Sequence, residues 1–250
     1  MMAPMKNRLI LSSLLTLLLP AHGADLVFAV STGSAMPMTE FKKEQLTGGL
    51  LKDFGDALAA ELNMTPRYLI LPRKRVEAAL HAGQADLLCD LRPEWLDSVG
   101  WQWTGTVFSN VMIVASRSDT RPIARLSDMA GQRVGTVLGY RYPEVERRMG
   151  ARFQRDDAAS DELNTGKLLN GRFNYMKSNA IYYDYQRKVH PGGGRLNPAV
   201  FPIRPFDTYC ALPPQGRLKL AEVDQAIAAL RKRGAMQQIL ARYRPPRPLP

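Results

Sequence analysis

The stretch YLILPRKRVEAALHAGQADLLC, Tyr68–Cys89, contains an amphipathic segment between two short apolar ones. Its central part, Arg73–His81, carries its apolar residues on one face of a helix that Gly83 ends. The flanking segments Tyr68–Leu71 and Asp86–Cys89 have the length and apolar character of strands. The order strand, helix, strand predicts a mainly parallel sheet with crossover helices.

The same alternation continues on both sides of this stretch. Upstream, the strand Leu26–Val30 precedes a helix whose apolar residues recur at spacings of three and four between Leu51 and Leu62, which extends the order to βαβαβ. Downstream, the polar stretch Ser116–Pro122 marks a crossover to a second α/β set. The further predicted elements are the strands Val111–Ala115, Arg133–Leu138 and Phe173–Met176, a helical turn at Ser127–Ala130, the helices Pro143–Met149, Asp161–Leu169 and Asn179–Val189, the extended segment Phe201–Leu212 and a closing helical stretch over 223–243.

The composition is that of an ordinary globular protein of one or two domains, with 45% hydrophobic and 23% charged residues in 250. Three histidines and two cysteines leave few ligands for a zinc or iron–sulfur site, so neither a metal nor a cofactor is expected. The net charge of +11 raises the question of an acidic partner.

Residues 1–24 have the layout of a secretory signal peptide, which predicts export to the periplasm. Two basic residues precede the apolar run Leu9–Leu19, and small residues follow it, with cleavage expected after Gly23 or Ala24. An exported protein meets little nucleic acid, so the basic charge is attributed to a solvated surface or to contact with an anionic partner, and no nucleic-acid partner is expected. Residues 246–250 are predicted to form a mobile Pro-rich tail.

The two cysteines, Cys89 and Cys210, each lie in a short apolar segment that has the character of a strand. An oxidising compartment permits a disulfide between them if the two strands are neighbours. If the strands are not neighbours, both residues are buried thiols. The sequence leaves both alternatives open.

Five segments occur in the order found in bacterial periplasmic (extracellular) solute-binding proteins of the polar amino acid type, the substrate-binding proteins of ABC transporters. Each segment is a weak motif by itself, and together they cover nearly all of the chain that follows the signal peptide. The segments that resemble this family are GGLLKDFGDALAAELNM (Gly48–Met64), RVEAALHAGQADLLC (Arg75–Cys89), LSDMAGQRVGTVLGYRY (Leu126–Tyr142), NTGKLLNGRFNYM (Asn164–Met176) and AIAALRKRGAMQQILARY (Ala226–Tyr243).

The resemblance implies an α/β fold of the periplasmic binding protein-like type II, with two α/β lobes, two hinge strands and a ligand cleft. Lobe 1 is expected to comprise residues 25–114 plus 203–245, and lobe 2 residues 117–198. The implied function is non-enzymatic: the lobes close over a small-molecule ligand, and the protein, as a monomer, delivers it to the membrane permease of an ABC transporter.

This sequence departs from the family at the positions that contact the ligand. The family's arginine in a "T-p-e-R" motif, which pairs with a ligand carboxylate, is matched here by Trp95, with Arg92 nearby. The aspartates that family members carry for the ligand ammonium are matched by Asn174 and Asn179. Both departures predict a ligand that is not an ordinary α-amino acid.

An anionic ligand with an apolar or aromatic part is the resulting hypothesis. Tyr140 and Arg141 precede a predicted helix N-terminus, where backbone N–H groups and the helix dipole attract anions. The alternative is that Trp101 and Trp103 pack in the core and that Arg141 is a solvated surface residue. The candidate ligand-binding residues are Met38, Arg75, Asp90, Arg92, Trp95, Trp103, Tyr140, Arg141 and Asn179.

Two other functions compete with transport. The first is a periplasmic enzyme on the same fold, a dehydratase acting on a cyclic acid, for which Glu94, Asp90 or His81 would serve as general acid. The second is a sensory or accessory module that passes ligand occupancy to a sensor protein. The fold alone does not choose among these functions.

Overall fold

The computed structural model describes residues 24–243. The predicted signal peptide, apart from Ala24, and the predicted tail at 246–250 lie outside the described residues. The strands are β1 (Asp25–Ser31), β2 (Glu40–Lys42), β3 (Gln45–Gly48), β4 (Thr65–Leu71), β5 (Leu87–Leu91), β6 (Gln102–Trp103), β7 (Phe108–Ser116), β8 (Arg133–Val137), β9 (Gln154–Ala158), β10 (Tyr175–Asn179) and β11 (Phe201–Leu212). The helices are α1 (Leu50–Glu61), α2 (Arg73–His81), α3 (Pro143–Met149), α4 (Asp161–Leu169), α5 (Ala180–Val189), α6 (Leu220–Lys232) and α7 (Ala235–Tyr243).

One long sheet with the strand order β4-β1-β5-β11-β7-β10-β8-β9 runs through the molecule. Its first part confirms the parallel pairing that the sequence predicts, because β1 lies between β4 and β5 and is parallel to both. The register of β1 on β4 runs from Asp25 opposite Thr65 to Ser31 opposite Leu71. The carboxyl ends of these parallel strands therefore open at the same edge of the sheet.

The two long strands β7 and β11 join the two halves of this sheet. They pair antiparallel with each other, while β11 also pairs with β5 and β7 also pairs with β10. We call the part built on β4, β1 and β5 lobe 1, and the part built on β10, β8 and β9 lobe 2. The chain passes between the lobes along β7 and β11, so these strands occupy the position of the hinge. The residue boundaries given above for the lobes remain a prediction.

Each lobe has its own apolar core between the sheet and its helices. In lobe 1, Phe54 and Leu58 of α1 pack in one buried cluster with Val223 and Ile227 of α6. Burying one such side chain completely contributes roughly 1.5–3 kcal/mol. In lobe 2, Val134 of β8 and neighbouring residues form a separate cluster. Within residues 24–243, no helix combines the length and the apolar character that crossing a membrane requires.

The structure differs from the predicted elements in the bounds of one strand and contains strands that were not predicted. The strand predicted at Phe173–Met176 begins and ends later, at Tyr175–Asn179, so Asn179 is the N-cap of α5 and not a residue of that helix. The strand Gln154–Ala158 and the hairpin formed by β2 and β3 are absent from the prediction. The sequence QRDDA at Gln154–Ala158 is polar because this strand lies at the edge of the sheet, where it pairs only with β8.

Cys89 and Cys210 form a disulfide bond in the structure. The bond is possible because β5 and β11, which carry the two residues, are adjacent antiparallel strands. Of the two alternatives that the sequence leaves open, the structure therefore contains the bridge. It links the third strand of lobe 1 to a strand that returns from lobe 2.

Candidate ligand-binding site

A cavity of about 130 Å³ lies between the lobes. It is lined by residues from the carboxyl ends of β1 and β5 in lobe 1, and by residues from β10 and the segment after β8 in lobe 2. An apolar cavity of roughly 150 Å³ holds one benzene-sized molecule in another protein, so this space suits a small organic solute.

The lobes touch each other around the cavity, so the structure represents the closed form. The backbone N–H of Asp161 in lobe 2 donates to the carbonyl oxygen of Gly33 in lobe 1 over 2.9 Å. The amide of Gln186 in lobe 2 donates to the carbonyl oxygen of Met36 in lobe 1, also over 2.9 Å. A ligand in the cavity is thereby enclosed from both sides.

Gly33 is one position where the two lobes approach closely without a side chain between them. A Cβ atom at this position would lie 3.1 Å from Cε1 of Tyr140 and 3.1 Å from Cγ1 of Val137, both in lobe 2. That separation is shorter than an ordinary carbon–carbon contact. The absence of a side chain at Gly33 therefore allows the lobes to close.

Asp90 lies near the end of β5 and contributes a carboxyl group to the cavity wall. Its φ of 58° is in the left-handed region, which residues other than glycine seldom adopt. Burial raises the pKa of the Asp90 carboxyl to about 6, and a hydrogen bond from the Thr208 hydroxyl opposes this shift. Strained backbone of this kind is concentrated at functional sites.

Asp161 contributes a second carboxyl group from lobe 2, at the first residue of α4. Among the described residues, its side chain has no hydrogen-bond or ion-pair partner. Burial raises its pKa to about 7, Lys177 lowers this value, and the charge of Asp90 raises it further. The two carboxyl groups therefore interact across the cleft, one from each lobe.

Lys177 of β10 is a buried cation whose charge acts on Asp161. Only 7% of the residue is exposed, and its ammonium group donates to the carbonyl oxygen of Ser178 over 3.0 Å. The same group lies 5.4 Å from the centre of the Tyr142 ring. Burial lowers the pKa of Lys177 to about 8, while the charges of Glu144 and Asp161 raise it.

Three polar atoms in the cavity wall have no hydrogen-bond partner among the described residues. They are the indole nitrogen Nε1 of Trp95, the carboxylate oxygen Oε2 of Glu144 and the hydroxyl oxygen Oγ of Ser178. Buried polar groups in native proteins are almost always hydrogen-bonded. Trp95 belongs to lobe 1 and the other two residues to lobe 2, so polar atoms without partners occur on both sides of the cavity.

The structure brings together six of the nine candidate ligand-binding residues and leaves three outside the cavity. Arg75 is exposed on α2. The Arg92 guanidinium donates to the Glu94 carboxylate over 2.6 Å and to the Asp207 carbonyl oxygen over 2.7 Å, so its hydrogen bonds are made within the protein. Trp103 packs edge-on against the Tyr209 ring, and its position is that of a packing residue. The six that line the cavity are Met38, Asp90, Trp95, Tyr140, Arg141 and Asn179.

The helix N-terminus expected to attract an anion is occupied by the protein's own groups. Glu144 is in the first turn of α3, is buried, and accepts hydrogen bonds from Arg204. Arg141 is exposed and donates to the carboxylate of Asp97 over 2.6 Å and to the carbonyl oxygen of Leu96 over 3.0 Å. Because Arg141 joins lobe 2 to lobe 1 through these bonds, its charge is not free for a ligand.

Sequence reasoning missed most of the charged groups of this site. Asp161 follows a polar strand that was not predicted. It is the first residue of a predicted helix, and that position alone does not indicate a place in the cleft. Lys177 is a lone lysine between buried residues of a strand, and such a residue is the signal that could have identified it. The cavity-lining residues absent from the prediction include Arg73, Asn110, Glu144, Asp161, Lys177 and Phe206.

No protein-family profile matches the sequence, and no curated protein sequence is detectably similar to it. Solved structures do match. An ancestral amino acid-binding protein, a precursor of cyclohexadienyl dehydratase, aligns with a TM-score of 0.74 at 15% identity, covering 88% of this chain and 95% of that one. The arginine-, lysine-, histidine-binding protein ArtJ from Geobacillus stearothermophilus aligns with a TM-score of 0.71 at 16% identity, covering 90% and 96%.

A third match is the substrate-binding protein of an ABC uptake transporter from Streptococcus pneumoniae with bound histidine. Its TM-score is 0.73 at 16% identity, covering 88% of this chain and 92% of that one. These matches confirm the fold that the sequence motifs imply. The chain has the type II periplasmic binding protein fold found in amino acid-binding proteins of the polar amino acid type.

Proposed function

We propose that this protein is a periplasmic solute-binding protein that captures one small organic solute between its lobes and delivers it to the permease of an ABC transporter. The observation that carries the proposal is the closed cleft, whose wall contains three polar atoms without partners among the described residues. A solute between the lobes would be held by groups of both, because the interlobe hydrogen bonds of Asp161 and Gln186 join the lobes beside the cavity. Proteins of the same fold bind histidine, or arginine, lysine and histidine, which supports a solute of this size. The protein is proposed to act as a monomer.

The expectation of an anionic ligand receives no support from the cavity. Arg141 is paired with Asp97, and Arg92 lies outside the lining. The charged groups that face the cavity without a partner within ion-pair distance are mainly acidic. The expectation of a ligand other than an ordinary α-amino acid stays a proposal, because Trp95 lines the cleft and offers one N–H group where the family has an arginine.

A catalytic function is the second candidate, and one observation favours it. Burial raises the pKa of Asp90, which lines the cavity, to about 6, so a larger fraction of it is protonated near neutral pH than of an ordinary aspartate, and this fraction could act as a general acid. The other two acids considered for this role lie elsewhere: Glu94 is paired with Arg92 and Arg204, and His81 packs on Trp101. Asp90 is therefore the residue that a dehydratase of cyclic acids would use.

The proposed function is tested on protein secreted to the periplasm and purified without denaturation. Native mass spectrometry is expected to detect one non-covalently bound small molecule, and removing it by denaturation and refolding is expected to lower the melting temperature. Ser34→Trp, which fills the cavity, should abolish this binding, whereas Ser118→Trp at an exposed turn should retain it. A folded protein that carries no solute, and that no extract of small molecules stabilises, would contradict the proposal.

Transport, catalysis and sensing are separated by further measurements on the identified solute. Cells lacking the gene should lose high-affinity uptake of that solute if the protein serves a transporter. Loss of a transcriptional or signalling response with normal uptake would favour the sensory module. Formation of an aromatic product from a cyclohexadienyl acid, abolished by Asp90→Asn, would favour the enzyme.

A further inference from the structure

We propose that the cleft selects a small organic monocation, whose positive group lies between the carboxyl group of Asp90 in lobe 1 and that of Asp161 in lobe 2. This inference rests on the proposed function and specifies its substrate class. Neither Asp90 nor Asp161 is a position to which the family motifs quoted above assign a ligand contact. Its ligand is a primary amine or a guanidine that carries a net charge of +1.

The balance of charges in the cavity wall is the first argument. Three guanidinium groups near the cavity have acidic partners of their own: Arg73 is 3.6 Å from Glu77, Arg141 is 2.6 Å from Asp97, and Arg204 binds Glu144. Of the charged residues that line the cavity, Asp90, Asp161 and Lys177 form no such ion pair. Two carboxylates against one ammonium leave a net charge of −1. A ligand with a charge of +1 neutralises this site, whereas a zwitterion or an anion does not.

The position of the two carboxyl groups on opposite lobes is the second argument. When the cleft closes without a cation, the two acidic groups line one partly buried cavity, where like charges repel each other. A cation between them turns this repulsion into attraction to both lobes. Cation binding therefore favours the closed form directly.

The atoms without hydrogen-bond partners indicate which groups the rest of the ligand carries. The Trp95 indole has only a donor, so its partner on the ligand is an oxygen acceptor such as a hydroxyl or a carbonyl group. Ser178, whose Oγ is also unpartnered, is 6% exposed, and Glu144 is 7% exposed. The ring of Trp95, which packs edge-on against Phe206, supplies an apolar wall for an aromatic or alkyl body.

The direction of the pH dependence follows from the same groups. The charged and titratable groups that line the cavity with Asp161 are Asp90, Arg73, Tyr140, Arg141, Tyr142, Glu144, Lys177 and Tyr182. Cation binding requires both aspartates to be ionised, and burial raises the pKa of Asp90 to about 6 and that of Asp161 to about 7. Affinity for a cation should therefore rise between pH 5.5 and pH 8. Affinity for an anion would fall over the same interval.

The test uses four compounds with one shared aromatic body: phenethylamine, 2-phenylethanol, L-phenylalanine and 3-phenylpropionate. Isothermal titration calorimetry on refolded, solute-free protein at pH 7.5 should rank the cation first and the anion last. Asp90→Asn and Asp161→Asn should each weaken phenethylamine binding about tenfold or more, because each removes a charge-assisted contact. Asp184→Asn, an exposed aspartate of α5 outside the cavity, is the matched control and should have no effect.

A second variant tests the oxygen acceptor. Trp95→Phe removes the indole N–H and keeps an aromatic ring. This substitution should lower the affinity for phenylalaninol, which carries a hydroxyl group beside its amine, by roughly 2- to 12-fold. That range corresponds to the loss of one neutral hydrogen bond. Phenethylamine, which has no oxygen, should bind both forms equally.

Each outcome separates this inference from the proposed function. If the solute found by mass spectrometry is neutral or anionic, or if 3-phenylpropionate binds as tightly as phenethylamine, the inference is wrong and the solute-binding function stands. Unchanged phenethylamine affinity in folded Asp90→Asn and Asp161→Asn also overturns it. If folded protein binds neither a solute from the periplasm nor any compound of the series, both proposals are wrong.

Discussion

Replacing Asp161 by asparagine should make the ligand-free protein more stable, although it removes a charged group from the site. Asp161 is partly buried, and its side chain has no hydrogen-bond or ion-pair partner among the described residues. Burial is the main reason that its pKa is raised to about 7. Asparagine has nearly the same shape and never ionises, so it avoids the cost of a buried charge.

The size of this gain in stability follows from the difference between the pKa values of the Asp161 carboxyl group in the folded and the unfolded protein. Below a pH of about 4 the carboxyl group is protonated in both states and contributes nothing to the free energy of unfolding. As the pH rises, the unfolded state ionises first, so stability is lost until the pH passes about 7, the folded pKa. A shift of about 3 units at 1.36 kcal/mol each gives a gain of up to about 4 kcal/mol for Asp161→Asn above pH 7. The attraction to Lys177 is already contained in this value.

The assay is urea denaturation of solute-free protein at pH 4.5 and pH 8, followed by circular dichroism. The free energy of unfolding of Asp161→Asn should exceed that of the wild type by about 1 kcal/mol at pH 4.5 and by about 2–4 kcal/mol at pH 8. The lower figure at pH 8 allows for residual solvent in the cavity. Asp184→Asn, at an exposed position, should match the wild type at both pH values.

Two results would refute this reasoning. The first is a variant that is no more stable than the wild type at pH 8, which would mean that the carboxylate is well solvated in the folded protein. The second is a gain of equal size at both pH values, which would mean that packing and not ionisation is responsible. A gain in stability accompanied by loss of cation binding is the expected signature of a group retained for function.

Three other perturbations test other parts of the structure. Gly33→Leu should hold the lobes apart, enlarge the radius of gyration in solution scattering with solute present and weaken solute binding, whereas Gly194→Leu, at a site with open space, should change neither. Replacing Cys89 and Cys210 by alanine opens a loop of 121 residues and should lower the free energy of unfolding by about 2–5 kcal/mol in urea denaturation, and a loss below 1 kcal/mol would show that the bridge contributes little. Arg204→Met leaves Glu144 buried without its partner and should cost about 3 kcal/mol, a loss that Glu144→Gln in the double variant should largely reverse.

The strands and helices that carry apolar residues were predictable, because burial imposes a period of about two or 3.6 residues on the sequence. The helix predicted at Arg73–His81 and the helix predicted at Asp161–Leu169 have those bounds in the structure. The edge strand Gln154–Ala158 escaped prediction because it is polar and therefore has no such pattern. The two cysteines could be placed in strands, but only the strand order shows that those strands are neighbours.

Part of the site could be predicted in the same way. Asp90 and Trp95 follow a predicted strand, and residues after parallel strands gather at one edge of a sheet. The sign of the ligand's charge could not be predicted, because the sequence does not show which charged side chains form ion pairs in the folded protein. Arg92 and Arg141 were natural candidates for binding an anion until the structure placed each of them beside an acidic partner.

Local propensity and periodicity specify the α/β class and most element positions, and the resemblance of the ordered motifs implies the lobed architecture. The charge character of the cleft depends on how the chain folds. Asp90 and Asp161 are 71 positions apart in the chain and line the same cavity in the folded protein. Electrostatic interaction depends on distance in space and on exclusion of water, and neither quantity is encoded in the spacing of residues along the chain.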